Sequence, residues 1–325
     1  MPFVGYYNGE FIESNTTPVP IEERGHQFGD GVYEVVRVYG GRPFLLDWHL
    51  ERMENSLRAI QIANPFDRHA WVELINEAVR RSGEPESTVY WQVTRGIAPR
   101  NHVFPSANSV VSLTVRPLPA AKSATEIEAG PADDPLPPLV AWPDERWSNA
   151  FVKSINLLPN VIAKEVAHRL HAQEAVLVRE GTITECSGSN VWFVKNGELY
   201  THPTNRYILP GITRRFVLDL AHESGVTVHE QALQLSDLKD VDEVFVTSTT
   251  QEIQMIGEIV VPVSQEQALH HLPSDIPSSL VESKEEFKTL WKMSAAPTVG
   301  SKLKQQFSET VKRIQEGEVT LAVRN

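Results

Sequence analysis

The chain of 325 residues has little cysteine: Cys186 is the only one. A single cysteine excludes a disulfide framework within the chain and a zinc site built from several thiolates. The sequence also has no apolar run near the roughly 18 residues that cross a membrane, and Met1 to Gly5 lack the basic and apolar regions of a signal peptide. We therefore expect a cytoplasmic protein without a membrane partner. Histidine and acidic residues form no cluster with metal-ligand spacing, so no metal is expected either.

Positive charge is in deficit. The chain has 30 lysines and arginines against 42 aspartates and glutamates, which gives a formal net charge of -12. Such a surface should not attract nucleic acid, so no nucleic-acid partner is expected. Any anionic ligand must then be bound by local positive groups. Hydrophobic residues make up 41% and charged residues 22%, as in ordinary globular proteins.

The order of strand and helix patterns predicts an α+β protein of two domains. Residues 1–117 combine β-branched strands, such as Val32 to Tyr39, with apolar residues at helical spacing after Asp47, which can cap a helix. The glycine-punctuated stretch 24–31 is predicted to be a loop. Residues 118–138 are rich in proline and predict an interdomain linker. The larger C-terminal domain, 139–325, carries a polar insertion or mobile excursion at about 262–298.

Lys153 is the most informative residue of the C-terminal half. It lies in a run from Phe151 to Leu158 that is otherwise typical of a buried segment. Lysine is rarely buried, and burial lowers a lysine pKa, which makes the amine a usable nucleophile. The commonest chemistry of such an amine is a Schiff base with a carbonyl, above all that of pyridoxal phosphate. The alternative is a lysine that extends from a strand end into water.

Two segments could bind a phosphate. Gly211 opens into a helix whose first amides, those of Ile212 and Thr213, would point at whatever precedes them, and the helix dipole favours an anion there. A strand that ends in Thr247, Ser248, Thr249 and Thr250 could grip phosphate oxygens with hydroxyl groups. The alternatives are an ordinary helix start and a turn rich in serine and threonine.

Glu185 follows a strand and could meet a ring nitrogen, which a pyridoxal electron sink needs in its protonated form. The alternative is a carboxylate that accepts backbone hydrogen bonds in a turn. The neighbouring Cys186 is expected to be a small buried side chain.

A second set of residues could bind a substrate carboxylate. Arg100 and His102 lie two apart on a rigid loop after a strand, so they should point the same way. An arginine fork is the usual partner of a carboxylate. Tyr33 could place a phenol near the same site, and Arg52, beside the apolar stripe of a helix, could reach a phosphate. The alternatives are exposed or solvated arginines and a core tyrosine.

Together these segments resemble the class IV pyridoxal-phosphate aminotransferases, and within them the D-amino-acid transaminases. The matching stretches occur in the family's order over most of residues 1–260: RGHQFGDGVYEVV (24–36), YWQVTRGIAPRNHVFP (90–105), VKSINLLPN (152–160), TITECSGSN (182–190), ILPGITR (208–214) and VTSTT (246–250). The resemblance implies a two-domain fold of type IV. Two departures stand out: Cys186 replaces a glycine that many relatives have, and the 262–298 stretch is longer than expected.

The resemblance also implies a role for each candidate. Lys153 would form the internal aldimine with pyridoxal 5'-phosphate and act as general base. Glu185 would pair with the pyridine nitrogen, and Leu209 would lie against the ring. The phosphate would be held by Arg52, Ile212, Thr213, Ser248 and Thr249. The substrate carboxylate would be bound by Tyr33, Arg100 and His102, the last two from the partner subunit of a homodimer.

The implied function is ping-pong transamination between D-amino acids, such as D-alanine or D-glutamate, and 2-oxo acids, such as pyruvate or 2-oxoglutarate. The Arg100 and His102 pair favours the D-specific enzyme. The alternatives are a branched-chain L-amino-acid aminotransferase or an aminodeoxychorismate lyase-type enzyme on the same fold, and a non-catalytic protein that binds pyridoxal phosphate. Intact Lys153 and Glu185 argue against the last of these.

Overall fold

The computed structural model describes residues 4–12, 19–118, 135–272 and 286–317. Contacts divide the chain into two compact units. Unit 1 comprises Met1–Ser123, Val152–Asn156 and Glu309–Asn325, and unit 2 comprises Ala124–Phe151 and Leu157–Ser308. Most of the predicted linker, 119–134, and residues 273–285 of the predicted insertion lie outside the described residues. The predicted domain boundaries therefore stay predictions.

Unit 1 is built on one antiparallel sheet of six strands. Its strands are β1 (Val4–Tyr7), β2 (Glu10–Ile12), β3 (Gly31–Tyr39), β4 (Arg42–Pro43), β5 (Ser87–Thr94) and β6 (Val110–Pro117). Their order across the sheet is β2-β1-β6-β5-β3-β4. Side chains alternate between the faces of β5, so Val89, Trp91 and Val93 are fully buried on one of them.

Three helices accompany this sheet: α1 (Arg24–Phe28), α2 (Leu46–Ala59) and α3 (Arg68–Ser82). Residues at helical spacing on α2 and α3, such as Met53 and Trp71, pack with Trp91 into one core. This core is made of large side chains that are almost wholly removed from water, which is the main source of stability for the unit.

The start of two helices corrects the sequence prediction. Residues 24–28 form α1, where a loop was predicted, because the Glu23 side chain accepts the amide N–H of His26 at 2.8 Å and Gly29 ends the helix at φ +66°. Helix α2 begins after Leu45, at φ +53°, and no side chain caps it. Asp47 lies in its first turn, so it is not the cap.

Unit 2 contains two five-stranded sheets. The strands are β7 (Pro138–Pro143), β8 (Glu174–Arg179), β9 (Thr182–Cys186), β10 (Asn190–Lys195), β11 (Glu198–Thr201), β12 (Val228–Glu230), β13 (Glu243–Ser248), β14 (Glu252–Ile256), β15 (Glu258–Pro262) and β16 (Phe287–Lys292). One sheet has the order β16-β15-β7-β8-β9 and the other β12-β11-β10-β13-β14. Residues of both sheets, among them Val176, Ile183, Phe193 and Val246, share one buried core.

Helices α4 (Leu158–Arg169), α5 (Ile212–Glu223) and α6 (Val299–Gln315) complete the described elements, with short 3-10 turns at Leu235–Asp240, Val263–Gln265 and Gln267–Leu269. Helix α4 packs Ala163 and Val166 on Val140 and Leu177 of the first sheet. In the described parts of the chain, no helix is long and apolar enough to cross a membrane.

The polar stretch 262–298 was predicted to be an insertion or mobile excursion, but its described part includes a paired strand. Strand β16 pairs with β15 in antiparallel register. Trp291 is buried, and its Nε1 donates a hydrogen bond to the Val241 carbonyl at 2.8 Å. This part of the stretch therefore belongs to the core of unit 2.

Candidate active site

Lys153 is fixed by the start of β3 in unit 1. Its carbonyl accepts the amide N–H of Tyr33 at 2.9 Å, and the amide of Ile155 donates to the Gly31 carbonyl at 3.0 Å. The amide of Lys153 itself donates to Ser56 Oγ on α2 at 3.2 Å. The backbone on both sides of the lysine is thus tied to the sheet and to a helix, which gives its side chain a defined origin.

The segment is less uniformly buried than the sequence suggested. Val152 and Ser154 are buried, Lys153 is half-buried, and Phe151 is exposed. Alternate residues of a short extended segment face opposite sides, which explains this pattern. The Lys153 amine lies 4.2 Å from the centroid of the Tyr33 ring. Among the described residues the amine forms no hydrogen bond or ion pair.

A buried cluster around Arg52 was not found from the sequence. Arg52 donates from Nε and Nη2 to the two carboxylate oxygens of Glu34, at 2.7 and 2.8 Å, and His49 Nδ1 lies 2.8 Å from Glu34. Burial alone would raise the pKa of Glu34, but Arg52 and His49 lower it to about 2. Burial lowers the pKa of His49. Arg52 is therefore held in place by an ionised carboxylate and is not a solvated helix residue.

The sequence of β3 contains one indication of this cluster, a carboxylate on the apolar face of the strand. Glu34 alternates with Val32 and Val36, so it falls on the same buried face as these two valines. A carboxylate on an apolar face needs a charged partner. The sequence did not indicate which arginine that partner would be.

Tyr33 joins the lysine to a second tyrosine. Its ring stacks on Tyr90 with centroids 5.7 Å apart. The Tyr90 hydroxyl donates to Gln92 Oε1 at 2.8 Å, and burial together with Tyr33 raises the pKa of Tyr90 to about 12. The Tyr90 phenol therefore stays a neutral hydrogen-bonding group at physiological pH.

Arg100 and His102 meet at one ring of the same unit. Arg100 Cζ lies 4.4 Å from the centroid of Phe28, and the His102 ring lies 5.6 Å from it. Both side chains are exposed, and they are followed by the exposed apolar residues Val103 and Phe104.

Glu185 is the centre of a buried network in unit 2. Its carboxylate is paired with Arg146 and accepts hydrogen bonds from Asn190 Nδ2 at 2.9 Å and from the Leu209 amide at 3.1 Å. Arg146 also donates to both oxygens of Asp144, at 2.9 and 3.0 Å. Burial raises the pKa of Glu185 to about 7, and Arg146 opposes this rise. The buried carboxylate is therefore poised to share a proton near neutral pH.

Asp144 and Arg146 were also missed in the sequence. They directly follow β7, where two charges after a buried strand could have indicated a functional edge. Cys186, which follows Glu185, is buried as expected, and burial raises the pKa of its thiol.

Gly211 is the N-cap residue of helix α5, and no side chain caps this end of the helix. The first amides of a helix have no partner within it, so those of Ile212 and Thr213 are available to a ligand. A Cβ atom at residue 211 would overlap Asn190 Oδ1, so a larger residue here would displace the Asn190 side chain. Asn190 Nδ2 also donates to the Leu209 carbonyl at 3.0 Å. Asn190 thus connects the Glu185 carboxylate to the start of α5.

The hydroxyl cluster at the end of β13 divides into two parts. Thr247 is buried, and its Oγ1 accepts a hydrogen bond from Trp192 Nε1 at 2.9 Å. Ser248 and Thr249 are half-buried, and Ser248 Oγ accepts the Gln251 amide at 3.2 Å. Thr247 is therefore part of the core, whereas Ser248 and Thr249 remain accessible to a ligand.

The candidate residues fit pyridoxal phosphate by the chemistry of their groups. Unit 1 contains Tyr33, Arg52, Arg100, His102 and Lys153, and unit 2 contains Glu185, Leu209, Ile212, Thr213, Ser248 and Thr249. An amine without a partner suits an aldehyde, an uncapped helix start suits a phosphate, and a buried carboxylate suits a protonated ring nitrogen.

Sequence comparisons agree with this chemistry. The family model for class IV amino-transferases matches residues 31–259. A D-alanine aminotransferase of Listeria innocua is 40% identical over 256 residues, which cover 78% of this chain and 86% of the relative. A D-alanine aminotransferase of Bacillus licheniformis is 40% identical over 253 residues, which cover 78% of this chain and 87% of the relative.

Solved structures support the fold. A branched-chain aminotransferase of Thermoproteus uzoniensis, solved with norvaline, has a TM-score of 0.76 at 21% identity and covers 98% of this chain and 96% of its own. A branched-chain amino acid aminotransferase of T.th., solved with pyridoxamine 5'-phosphate, has a TM-score of 0.75 at 22% identity, with 98% of this chain and 96% of its own covered. At such identities the likeness extends to the fold alone.

Proposed function

Because the chain belongs to the class IV aminotransferases, we propose that it transfers the amino group between D-amino acids and 2-oxo acids with pyridoxal phosphate as its cofactor. The observation that carries this proposal is the Lys153 amine. Its backbone is fixed by β3 and α2, and the amine has no hydrogen bond or ion pair among the described residues.

Two groups of residues would hold the cofactor. Lys153 would bind its aldehyde carbon covalently, and Glu185 would accept a hydrogen bond from its protonated ring nitrogen. Leu209 would pack on the ring. The phosphate would be bound by Arg52, Ile212, Thr213, Ser248 and Thr249. Arg52 suits this role because Glu34 fixes its orientation through two hydrogen bonds, at 2.7 and 2.8 Å.

The bound cofactor supplies an electron sink for the bonds at the substrate Cα. The chain would supply the proton transfer: Lys153 Nζ would act as the general base that takes the proton from the substrate Cα. Tyr33 orients this amine, since its ring lies 4.2 Å from Nζ. Glu185 keeps the ring nitrogen protonated, and the ion pair with Arg146 holds its carboxylate in place.

The preference for D-amino acids rests on two observations. Relatives at 40% identity are D-alanine aminotransferases, whereas the branched-chain enzymes of similar fold are only 21% and 22% identical. Arg100 and His102 also present two cationic or hydrogen-bonding groups side by side on Phe28. A substrate carboxylate is the ligand that this pair would bind.

We also propose a homodimer in which Arg100 and His102 act at the partner's site. The two side chains are followed by Val103, which is 72% exposed, and Phe104, which is 55% exposed. Exposed apolar side chains in sequence are characteristic of a contact surface, and a second copy of the chain is the natural occupant. The cytoplasmic location expected from the sequence stays a prediction.

The test is the visible absorption spectrum of the protein loaded with pyridoxal phosphate. D-alanine, added without a 2-oxo acid, should bleach the band and release pyruvate, and L-alanine and L-valine should not. Lys153→Ala should lose the band and most turnover. Lys164→Ala, which removes an exposed lysine of α4 that donates to the Gln173 carbonyl, should retain both. Bleaching by L-valine in preference to D-alanine would assign the chain to the branched-chain enzymes instead.

A further inference from the structure

The ring of Phe28, at the end of α1, is a meeting point for three positively charged or aromatic side chains. The Cζ atoms of Arg24 and Arg100 lie 4.7 and 4.4 Å from its centroid, and the His102 ring lies 5.6 Å from it. Both proposed carboxylate-binding side chains therefore touch the same ring. Phe28 itself lies on an element distant from them in sequence.

Arg24, which contacts this ring, also belongs to a mostly buried ionic cluster of Arg24, Asp30 and Arg95, here called the Asp30 cluster. Asp30 accepts hydrogen bonds from Arg24 Nε at 2.8 Å and from Arg95 Nε and Nη2 at 2.9 and 3.0 Å. Arg95 also donates to the carbonyls of Ile60 and Gln61, each at 2.8 Å. One carboxylate thus joins α1, the end of α2 and the end of β5. Both arginines are buried, which strengthens their electrostatic interactions with Asp30.

Arg24 of the Asp30 cluster also holds the loop that carries Arg100 and His102. Arg24 Nη1 donates to the carbonyl of Asn101 at 2.6 Å, between these two residues. The Arg24 amide donates to the Gly96 carbonyl at 2.9 Å. Gly96 has φ +99°, and a Cβ there would overlap the Asn108 carbonyl, so the loop leaves β5 by a path that only glycine permits. The backbone from Gly96 to Asn101 is therefore held by Arg24 at both of its ends.

A fixed backbone does not by itself orient Arg100, whose exposed side chain has several rotatable bonds. The ring of Phe28 restricts it, because a guanidinium over an aromatic face is attracted by the ring. His102 gains a second ring contact from the same side chain. Restricting a side chain before the ligand arrives lowers the entropy lost on binding.

We propose that Phe28, supported by the Asp30 cluster, is a positioning residue that orients Arg100 and His102. Its ring thereby sets the preference for substrates with a carboxylate. The inference rests on the proposed function. It adds that the specificity is built into α1, an element that does not itself contact the carboxylate.

The test compares Phe28→Leu with Phe28→Tyr and with a matched control, all in the full-length protein loaded with pyridoxal phosphate. Leucine retains an apolar side chain but lacks the ring, and tyrosine retains the ring. Phe11→Leu is the control, because Arg81 Cζ lies 4.1 Å from the Phe11 ring on β2, the strand at the far edge of the sheet. Both leucine variants lose an arginine contact, but only one loses contact with the loop.

Three sets of values are measured for each variant: kcat and KM for D-alanine, kcat/KM for a simple chiral amine, and the dissociation constant of D-lactate, which has the carboxylate but no amine to transfer. Phe28→Leu should weaken D-lactate binding and raise the KM for D-alanine by about two- to fivefold, with kcat for D-alanine and kcat/KM for the amine nearly unchanged. Phe28→Tyr and Phe11→Leu should match the parent. Arg100→Ala sets the upper limit of the effect.

The outcomes separate this inference from the proposed function. A parent that leaves D-alanine unreacted would overturn the function and the inference with it. If the parent reacts and Arg100→Ala loses D-lactate, but Phe28→Leu binds D-lactate as the parent does, the inference alone is wrong. Equal losses for D-alanine and the amine in Phe28→Leu would show that the ring supports the fold and does not orient the loop.

Discussion

Two buried glutamates, each paired with an arginine, show how surroundings set opposite behaviour for one residue type. Glu34 receives two hydrogen bonds from Arg52 and one from His49, and these overcome burial, so its pKa is about 2. Glu185 shares Arg146 with Asp144, and burial prevails, so its pKa is about 7. Glu34 is therefore a permanent anion that holds an arginine. Glu185 can share a proton.

The pKa of Glu34 predicts an acid-dependent loss of stability. Its folded pKa of about 2 lies below the ordinary value of 4.5, so the stabilisation is complete above pH 4.5 and is lost as the pH falls from 4.5 toward 2. The difference corresponds to about 3 kcal/mol. Glu34→Gln should lower the free energy of unfolding by about 3–5 kcal/mol at pH 7, since the buried Arg52 loses the carboxylate that accepts two of its hydrogen bonds. The free energy of unfolding of this variant should also fall less steeply than that of the parent as the pH decreases below 4.5.

Urea unfolding between pH 3 and pH 7 measures both effects. Glu77→Gln is the control, because Glu77 pairs with Arg80 and Arg81 on the exposed side of α3 and such surface pairs contribute little. Parallel pH curves for Glu34→Gln and the parent would contradict the assigned pKa.

Residue patterns could predict the residues whose local setting is unusual. Lys153 stands alone among apolar neighbours, and Glu185 and Gly211 adjoin recognisable turns. Arg146 and His49 could not be paired with their partners, because the contacts join residues far apart in the chain: Arg146 and Glu185 are separated by 39 positions. The distances that tie Arg24 and Arg95 to Asp30 likewise depend on the tertiary fold.

At the scale of elements, the two long helices α5 and α6 begin in opposite ways. The first amides of α6 and the preceding one, those of Thr298, Val299 and Gly300, donate to the buried Glu243 carboxylate at 2.6, 3.0 and 2.8 Å. Helix α5 begins at Gly211 without a side-chain cap. The fold therefore satisfies one helix start with its own anion. The other start suits an anion that is not part of the chain.

This contrast predicts that Glu243 is a stability residue. Glu243→Ala should lower the free energy of unfolding by about 1–3 kcal/mol, because it leaves the start of α6 without its acceptor. Glu243→Gln retains one carbonyl oxygen and should lose less. Thermal unfolding monitored by circular dichroism gives the loss, and the D-alanine reaction at a permissive temperature should proceed as in the parent. A variant of unchanged stability would show that solvent can replace this cap.

Element prediction worked where local patterns dominate and did not where pairing is distant. Strand β3 followed from the β-branched run Val32 to Tyr39, and α2 followed from the apolar residues at helical spacing after Asp47. Helix α1 was missed because its five residues contain a glycine and depend on Glu23 for their cap. Strand β16 was missed because its burial pattern is mostly exposed and its partner is β15.

At the scale of the whole molecule, a chain with a net charge of -12 has to concentrate its positive groups to bind anionic ligands. The structure pairs Arg24, Arg52, Arg95 and Arg146 internally with carboxylates. Arg100 contacts a ring on its own chain and remains exposed. A partner subunit that receives Arg100 would thus gain a positive charge at its substrate site. The proposed homodimer depends on this exchange.

Co-expression of two impaired variants, assayed at a D-alanine concentration far below the KM of Arg100→Ala, tests that exchange. Lys153→Ala lacks the amine, and Arg100→Ala lacks the carboxylate-binding guanidinium. If Arg100 serves the partner's site, a mixed dimer has one site with both lesions and one site with neither. A random mixture should then recover about a quarter of the parent's D-alanine turnover, because half of the dimers are mixed and each has one intact site. Different affinity tags allow the mixed dimer to be isolated and its activity measured directly.

Lys153→Ala co-expressed with Glu185→Gln is the matched control. Both residues are assigned to one protomer's own site, so every mixed dimer has one lesion in each site and no site is restored. Recovery in the first pair but not in the second is the expected result. Equal activities in both mixtures, or a chain that sediments as a monomer when loaded with pyridoxal phosphate, would show that Arg100 acts within its own protomer. The exposed Val103 and Phe104 would then need a different partner.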